Sequence, residues 1–205
     1  MKSPGALSGT AVVYGAKDDI AGMFKEVWLP GAFKRSLARG GYRGDVMALW
    51  SHDMSQPLGR RSAGTLVISD RTEGLDFTVE LPDTQVGRDA RTSVLRGDVN
   101  GMSFAFQVAE GGDTWSREDG WDLRVVHRAE LIEVSPVSIP AFRATSVSAR
   151  SGRDRSAELL RAKRHAIQAA EVYADLRDDP RARDRHRSQC ARPCRRAVPA
   201  VLEVA

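Results

Sequence analysis

Short apolar segments alternate with turn-forming residues from Gly9 to Pro140. Strand side chains alternate between two faces, and Gly, Pro, Asn and Asp interrupt strands, so this pattern predicts a mainly β domain with few helices. The loop at 70–74 ends in a glycine, and the segments on either side of it are expected to form a hairpin. The predicted strands are residues 11–14, 46–51, 65–69, 75–81, 101–108, 123–126 and 131–138.

Two segments predict helices instead of strands. Residues 31–38 follow Pro30 and place Phe33 and Leu37 four positions apart. Residues 84–96 follow Asp83, a residue type that can cap a helix N-terminus. The expected fold class is therefore mainly β with helices (α+β), in which the helices cover a sheet or barrel.

The composition changes abruptly near residue 151. Residues 154–176 space their apolar side chains at roughly helical intervals among many charges, which predicts a solvated amphipathic helix. Residues 177–196 contain almost no apolar side chain and many like charges, which predicts disorder. We therefore expect a domain at residues 1–150 followed by a basic tail at residues 151–205.

The charge distribution restricts the classes of partner. Residues 1–150 hold 18 Lys and Arg against 19 Asp and Glu, a net −1, whereas residues 151–205 hold 13 against 8, a net +5. A near-neutral domain argues against nucleic-acid binding, except through the tail. No apolar run approaches the roughly 18 residues of a membrane helix. Because Cys190 and Cys194 lack partners at zinc spacing, no metal or other cofactor is predicted.

Three segments contain residue types that perform hydrolytic chemistry. His52 ends one strand-like run, Ser103 lies inside another, and Glu133 shares a strand face with Ser135 and Val137. Taken singly, each segment also fits an ordinary role: a surface or core histidine, a serine on a wet strand face, and a solvated strand edge. Taken together they contain a base, a nucleophile and a carboxylate, which serine hydrolysis requires in one place.

Five segments of the sequence, taken in chain order, resemble the tailed-phage prohead proteases, which are the serine proteases of capsid maturation. The resemblance runs from about Gly9 to Arg150, and no single segment is specific by itself. The family is similar in fold to the herpesvirus assemblins, which implies a compact β-barrel flanked by helices. The segments are residues 26–33, 51–53 with 57–59, 74–75, 101–106 and 133–142.

The resemblance implies Ser103 as the nucleophile, His52 as the general base and Glu133 as the carboxylate that orients the base. His52 and Ser103 are expected on neighbouring strands with converging side chains. Assemblins use a second histidine as the third member, so His127 and Glu130 remain alternatives to Glu133. Arg143 follows the last segment, near where assemblins place arginines that stabilise the tetrahedral intermediate.

The same resemblance implies an endopeptidase that cleaves scaffold or capsid-precursor segments, and also itself, during procapsid maturation. The expected partners are the major capsid protein precursor and scaffold segments, with self-association left open. The expected location is the host bacterial cytoplasm, inside the assembling procapsid. The alternatives are a non-catalytic procapsid assembly or scaffold factor and a nucleic-acid-binding β-barrel. The presence of all three catalytic residue types argues against the first, and the charge and modest aromatic content of the domain argue against the second.

Overall fold

The computed structural model describes residues 3–150 and the backbone of residues 203–204. The two α-helices are α1 (Lys34–Ala38) and α2 (Gln85–Arg96), and a short 3₁₀-helix spans Tyr42–Gly44. The strands are β1 (Ala6–Val13), β2 (Lys17–Ile20), β3 (Phe24–Trp28), β4 (Met47–Trp50), β5 (Asp53–Arg60), β6 (Leu66–Asp70), β7 (Gly74–Glu80), β8 (Gly101–Val108), β9 (Asp113–Glu118), β10 (Trp121–Val126), β11 (Ala129–Val137), β12 (Ser146–Arg150) and β13 (Glu203–Val204).

The strands form three sheets. Their strand orders are β12-β1-β7-β6, β2-β3-β10-β9 and β13-β8-β11-β4-β5. The mainly β class is confirmed. The closed barrel is not, because each of the three sheets described here is open and ends in two edge strands.

Each of the seven predicted strands corresponds to an observed one, and β6 and β7 pair as the predicted antiparallel hairpin. The pattern missed β2, β3, β5, β9, β12 and β13. In β9 most side chains are exposed, and in β5 only Leu58 is fully buried. Such strands lack the apolar alternation from which a strand is predicted, and pairing with neighbouring strands keeps them extended.

The helices differ from expectation at their starts. Helix α1 begins at Lys34, three residues later than predicted. Helix α2 is capped by Thr84, whose side chain accepts a hydrogen bond from the backbone N–H of Gly87 at 3.3 Å. Asp83, the predicted cap, instead forms an ion pair with Arg88 at 2.7 Å. The cap therefore lies one residue beyond the predicted position.

An aromatic cluster fixes the orientation of β8. Trp28 stacks on Phe33 at 4.8 Å between ring centroids, and it meets Phe104 at 5.2 Å and Phe106 at 4.6 Å edge to face. Because strand side chains alternate, burying Phe104 and Phe106 in this cluster directs Ser103 to the opposite face of the sheet. Residues 26–33, the first of the five segments, thus contribute mainly to packing.

The second sheet contains a buried ionic network that joins β3 to β10. Arg124 forms ion pairs with Glu26 at 3.2 Å and with Asp113 at 2.8 Å, and the indole N–H of Trp28 donates to Glu26 at 2.9 Å. Buried charges are tolerated when paired and hydrogen-bonded in this way. The network therefore supports the strand that places Trp28 beneath β8.

The predicted division at residue 150 stays a prediction. The expected helix at 154–176 and the disordered segment at 177–196 lie outside the described residues. The hydrophobic core is built from side chains between Leu7 and Phe142, and β12, which pairs with β1, ends at Arg150. Within the described part of the chain, no helix is long and apolar enough to cross a membrane.

Truncation after Arg150 should leave a cooperatively folding domain, because the core cluster and β12 are both retained. Of the described contacts, only the short pairing of β13 with β8 is lost. We expect a single calorimetric transition whose midpoint falls by no more than about 4 °C, the shift that about 1 kcal/mol produces in a domain of this size. Loss of the cooperative transition would show that residues beyond 150 complete the core.

Asp70 should make the folded state less stable as the pH rises. Burial raises the pKa of its carboxyl group, although a hydrogen bond from Tyr14 and the charge of Lys34 act in the opposite direction. A raised folded-state pKa contributes stability at low pH that is lost as the pH passes upward through that value. Asp70→Asn keeps an acceptor for Tyr14, but its amide does not titrate. The variant should therefore lose less stability than wild type between about pH 4 and about pH 7. Urea unfolding across this range measures the difference, and equal pH dependence would contradict it.

Candidate active site

The three candidate residues lie across three adjacent strands of the third sheet. Ser103 on β8 pairs directly with Ser135 on β11, while Glu133 on β11 pairs with Met47 on β4. His52 follows β4 in the turn to β5. The expectation that His52 and Ser103 lie on neighbouring strands is wrong, because β11 runs between their strands and contributes the carboxylate from the middle.

His52 lies in a strained hairpin turn. Trp50 pairs with Asp53, so Ser51 and His52 form a two-residue loop, and both have positive φ, 52° and 64°. Tight hairpins favour this conformation, but they usually place Asn or Gly there because a side chain makes it costly, about 1–3 kcal/mol for each such residue. Strain of this kind persists only where surrounding contacts enforce it.

Strand β11 supplies those contacts. The backbone N–H of Ser51 donates to the carbonyl oxygen of Pro136 at 3.3 Å, and the N–H of His52 donates to the Ser135 hydroxyl at 3.1 Å. Two successive backbone groups of the turn are therefore tied to two successive residues of β11. The turn that carries the imidazole is held against the strand that carries the carboxylate.

The imidazole of His52 and the carboxylate of Glu133 are in direct contact. Nδ1 lies 2.7 Å from Oε1, and the glutamate side chain is 3% exposed against 25% for the histidine. A carboxylate only accepts hydrogen bonds, so Nδ1 carries the proton, and Nε2 is left as the ring nitrogen that can take one. Glu133 lies on an interior strand, so the solvated-edge interpretation of this segment is wrong.

Asp53, adjacent to His52 in sequence, uses its carboxylate elsewhere. Oδ1 accepts from the Ser55 backbone N–H at 2.8 Å and from its hydroxyl at 2.6 Å, and Oδ2 accepts from the Gln56 amide at 2.5 Å. Hydrogen bonds from Ser55 and Gln56 hold the pKa of Asp53 below its ordinary value. Sequence adjacency therefore does not identify the carboxylate that contacts the histidine.

The alternatives for the third position make other contacts. The backbone N–H of His127 donates to the carbonyl oxygen of Gly112 at 2.9 Å, in the connection between β10 and β11. Glu130 forms an ion pair with Arg39. Arg143, the candidate for stabilising the tetrahedral intermediate, is exposed, and its backbone N–H donates to Asp18 at 3.3 Å.

The start of β8 is tightly fixed around Ser103, which is 3% exposed. The Thr145 hydroxyl accepts from the N–H of Met102 at 3.0 Å and lies 2.9 Å from its carbonyl oxygen. A β-carbon at Gly101 would come within 2.5 Å of the Pro140 ring, so only glycine allows this close approach. The Gly-Met-Ser and Ile-Pro segments of the sequence are thus packed against each other.

Serine hydrolases combine two contacts, one between a carboxylate and an imidazole and one between the imidazole and a serine hydroxyl. Among the described residues, the first is present between Glu133 and His52, and no hydrogen bond joins His52 to Ser103. Residues 2–158 match the sequence model of a family described as caudovirus prohead serine protease. The chain belongs to this family, and it is accordingly a serine peptidase of capsid maturation in tailed phages. No curated protein sequence and no solved structure matches the chain significantly.

Family membership gives the general setting of the reaction. The substrates of a prohead protease are, as a class, capsid precursors or scaffold proteins, and the enzyme acts within the procapsid. Among the described residues, no group of three or more His, Cys, Asp or Glu side chains is arranged to hold a metal ion.

The tautomer of His52 is directly testable. Because Glu133 accepts from Nδ1, the neutral ring should carry its proton on Nδ1 rather than on Nε2. Side-chain ¹⁵N chemical shifts, with the His52 signal assigned by its loss in His52→Ala, should show this tautomer in wild type and a mixture in Glu133→Gln. A dominant Nε2–H tautomer in the wild-type protein would contradict the contact.

Proposed function

We propose that Ser103, His52 and Glu133 are the nucleophile, general base and orienting carboxylate of a prohead endopeptidase. The observation that carries the proposal is the contact between His52 Nδ1 and the buried Glu133 carboxylate, 2.7 Å long. It leaves Nε2 on the side of the ring away from Glu133. Because Ser103 on β8 pairs with Ser135 on β11, its side chain lies on the same face of the sheet as Ser135 and Glu133.

The proposed reaction has two stages. The Ser103 hydroxyl attacks the substrate carbonyl carbon while Nε2 of His52 takes its proton, and the resulting imidazolium gives that proton to the leaving amine nitrogen. Water then attacks the acyl-enzyme with the same base, which releases the acid product and restores Ser103. Glu133 keeps the ring in the required tautomer and stabilises the imidazolium without itself taking the proton.

Its substrates in this proposal are segments of the major capsid protein precursor and its scaffold, together with the enzyme's own chain. The reaction takes place in the bacterial cytoplasm, inside the assembling procapsid. Family membership supports this assignment, since it defines both the class of enzyme and its setting. The intact pairing of a buried carboxylate with His52 favours an active enzyme over a scaffold component that merely retains the fold.

Kinetics of five variants test the assignment of the three roles. Ser103→Ala and His52→Ala should abolish cleavage of the cognate capsid precursor. Glu133→Gln should fold normally and remain measurable, with kcat reduced by up to about 10⁴-fold, because the nucleophile and base still function without the charge. His127→Ala and Glu130→Gln should cleave at close to the wild-type rate. Initial rates from mass spectrometry of the products give the comparison.

Thermal unfolding of each variant separates lost chemistry from lost folding. The carboxylate assignment would be overturned by Glu133→Gln cleaving at the wild-type rate while His127→Ala is crippled. That result would indicate a Ser-His-His site.

A further inference from the structure

Ser135 is next to each of the three proposed catalytic residues. Its side chain is fully buried, with 0% of the residue exposed. It pairs directly with Ser103 across β8 and β11, and it lies two residues after Glu133 on the same strand face. Its hydroxyl contacts both Glu133 and the backbone of His52. Among the described residues, no other side chain hydrogen-bonds to both Glu133 and His52.

The hydrogen bonds of this hydroxyl have defined directions. A serine hydroxyl has one proton and two lone pairs. The carboxylate of Glu133 can only accept, so the Ser135 proton is directed to Oε2. A lone pair then accepts the backbone N–H of His52 at 3.1 Å. With Oε1 bound to His52 Nδ1, both oxygens of the buried carboxylate have a donor.

We propose that Ser135 is a positioning residue for the peptidase reaction. It fixes the rotation of the Glu133 carboxylate so that Oε1 faces Nδ1. It also holds the left-handed turn at His52, because it accepts the backbone N–H of that residue. One hydroxyl therefore sets both ends of the histidine–carboxylate contact. The inference rests on the proposed roles of His52 and Glu133.

Ser135 is not an alternative nucleophile. Its proton is directed to the carboxylate and not to the imidazole, whose Nδ1 is itself bound to the same carboxylate. A fluorophosphonate probe should therefore label Ser103 and leave Ser135 unmodified, as peptide mass spectrometry would show.

Ser36 provides a matched control. It is also 0% exposed, and its hydroxyl also accepts a backbone N–H, in this case that of Leu131 on β11, at 3.0 Å. Its partner lies at the other end of the strand from the His52 turn. Ser36→Ala and Ser135→Ala thus each remove one buried hydroxyl that accepts a backbone N–H.

Ser135→Ala should lower kcat by about 10- to 100-fold and leave KM within about twofold, because the reacting groups are misplaced while substrate contacts remain. Ser36→Ala should keep kcat within about twofold, even though it loses a comparable buried hydrogen bond. In the ¹⁵N spectrum, Ser135→Ala should lose part of the Nδ1–H tautomer of His52, whereas Ser36→Ala should keep it. Added to Glu133→Gln, Ser135→Ala should cost less than it does in wild type, because the two residues act through one contact.

A variant of similar volume protects the test against misfolding. Ser135→Cys places a small, weakly donating thiol at this buried position, and it replaces Ser135→Ala if the latter fails to unfold cooperatively. Its kcat should again fall while its unfolding transition stays cooperative.

Two results would overturn the inference. One is a Ser135 variant as active as Ser36→Ala with an unchanged His52 tautomer. The other is a loss of kcat in both serine variants in proportion to their loss of folded protein. Failure of the proposed function is distinguishable from either, because it would appear as wild-type cleavage by His52→Ala. If His52→Ala is inactive and Ser135→Ala is fully active, only the role of Ser135 is refuted.

Discussion

The buried Glu133 carboxylate is the constraint around which the proposed site is arranged. A charge on an interior strand is costly unless each oxygen has a hydrogen-bond donor. The donors are the imidazole of His52 and the hydroxyl of Ser135, which come from a neighbouring turn and from the same strand. Satisfying one carboxylate therefore fixes a serine hydroxyl on β11, next to β8, and a histidine ring in the turn after β4, two strands from β8.

Hydrogen bonds and packing in the rest of the sheet hold this arrangement in place. The turn at Ser51 and His52 adopts a conformation that non-glycine residues avoid, and two hydrogen bonds from β11 hold it there. On the opposite face, Trp28 packs against Phe104 and Phe106, which fixes the side to which Ser103 points. The strained turn at the proposed base and the close packing behind the proposed nucleophile thus lie in different parts of the fold. Preorganisation of this kind is what a base and nucleophile need before substrate arrives.

The segments that carry the family resemblance separate into two kinds according to what their residues contact. Residues 26–33 pack the aromatic cluster and the ionic network of Arg124, so their contribution is architectural. Residues 51–52 and 133–136 meet at the site itself, where backbone and side-chain hydrogen bonds join them. The packing of Gly101 against Pro140 belongs to both kinds, because an architectural contact fixes the start of the strand that carries Ser103.

By itself, the sequence determined the mainly β class, the strands with apolar alternation, the β6–β7 hairpin and the candidates Ser103, His52 and Glu133. The strands and the hairpin depend on local periodicity and turn residues, and the three candidates depend on the resemblance of five segments to a known family. The tertiary structure alone decided that the sheets stay open, that polar segments such as β5 and β9 form strands, and that β11 separates β8 from β4. It also decided that Glu133, rather than Asp53 or Glu130, contacts His52. Pairing between segments distant in sequence sets these features, and a one-residue change of register would reverse every side chain.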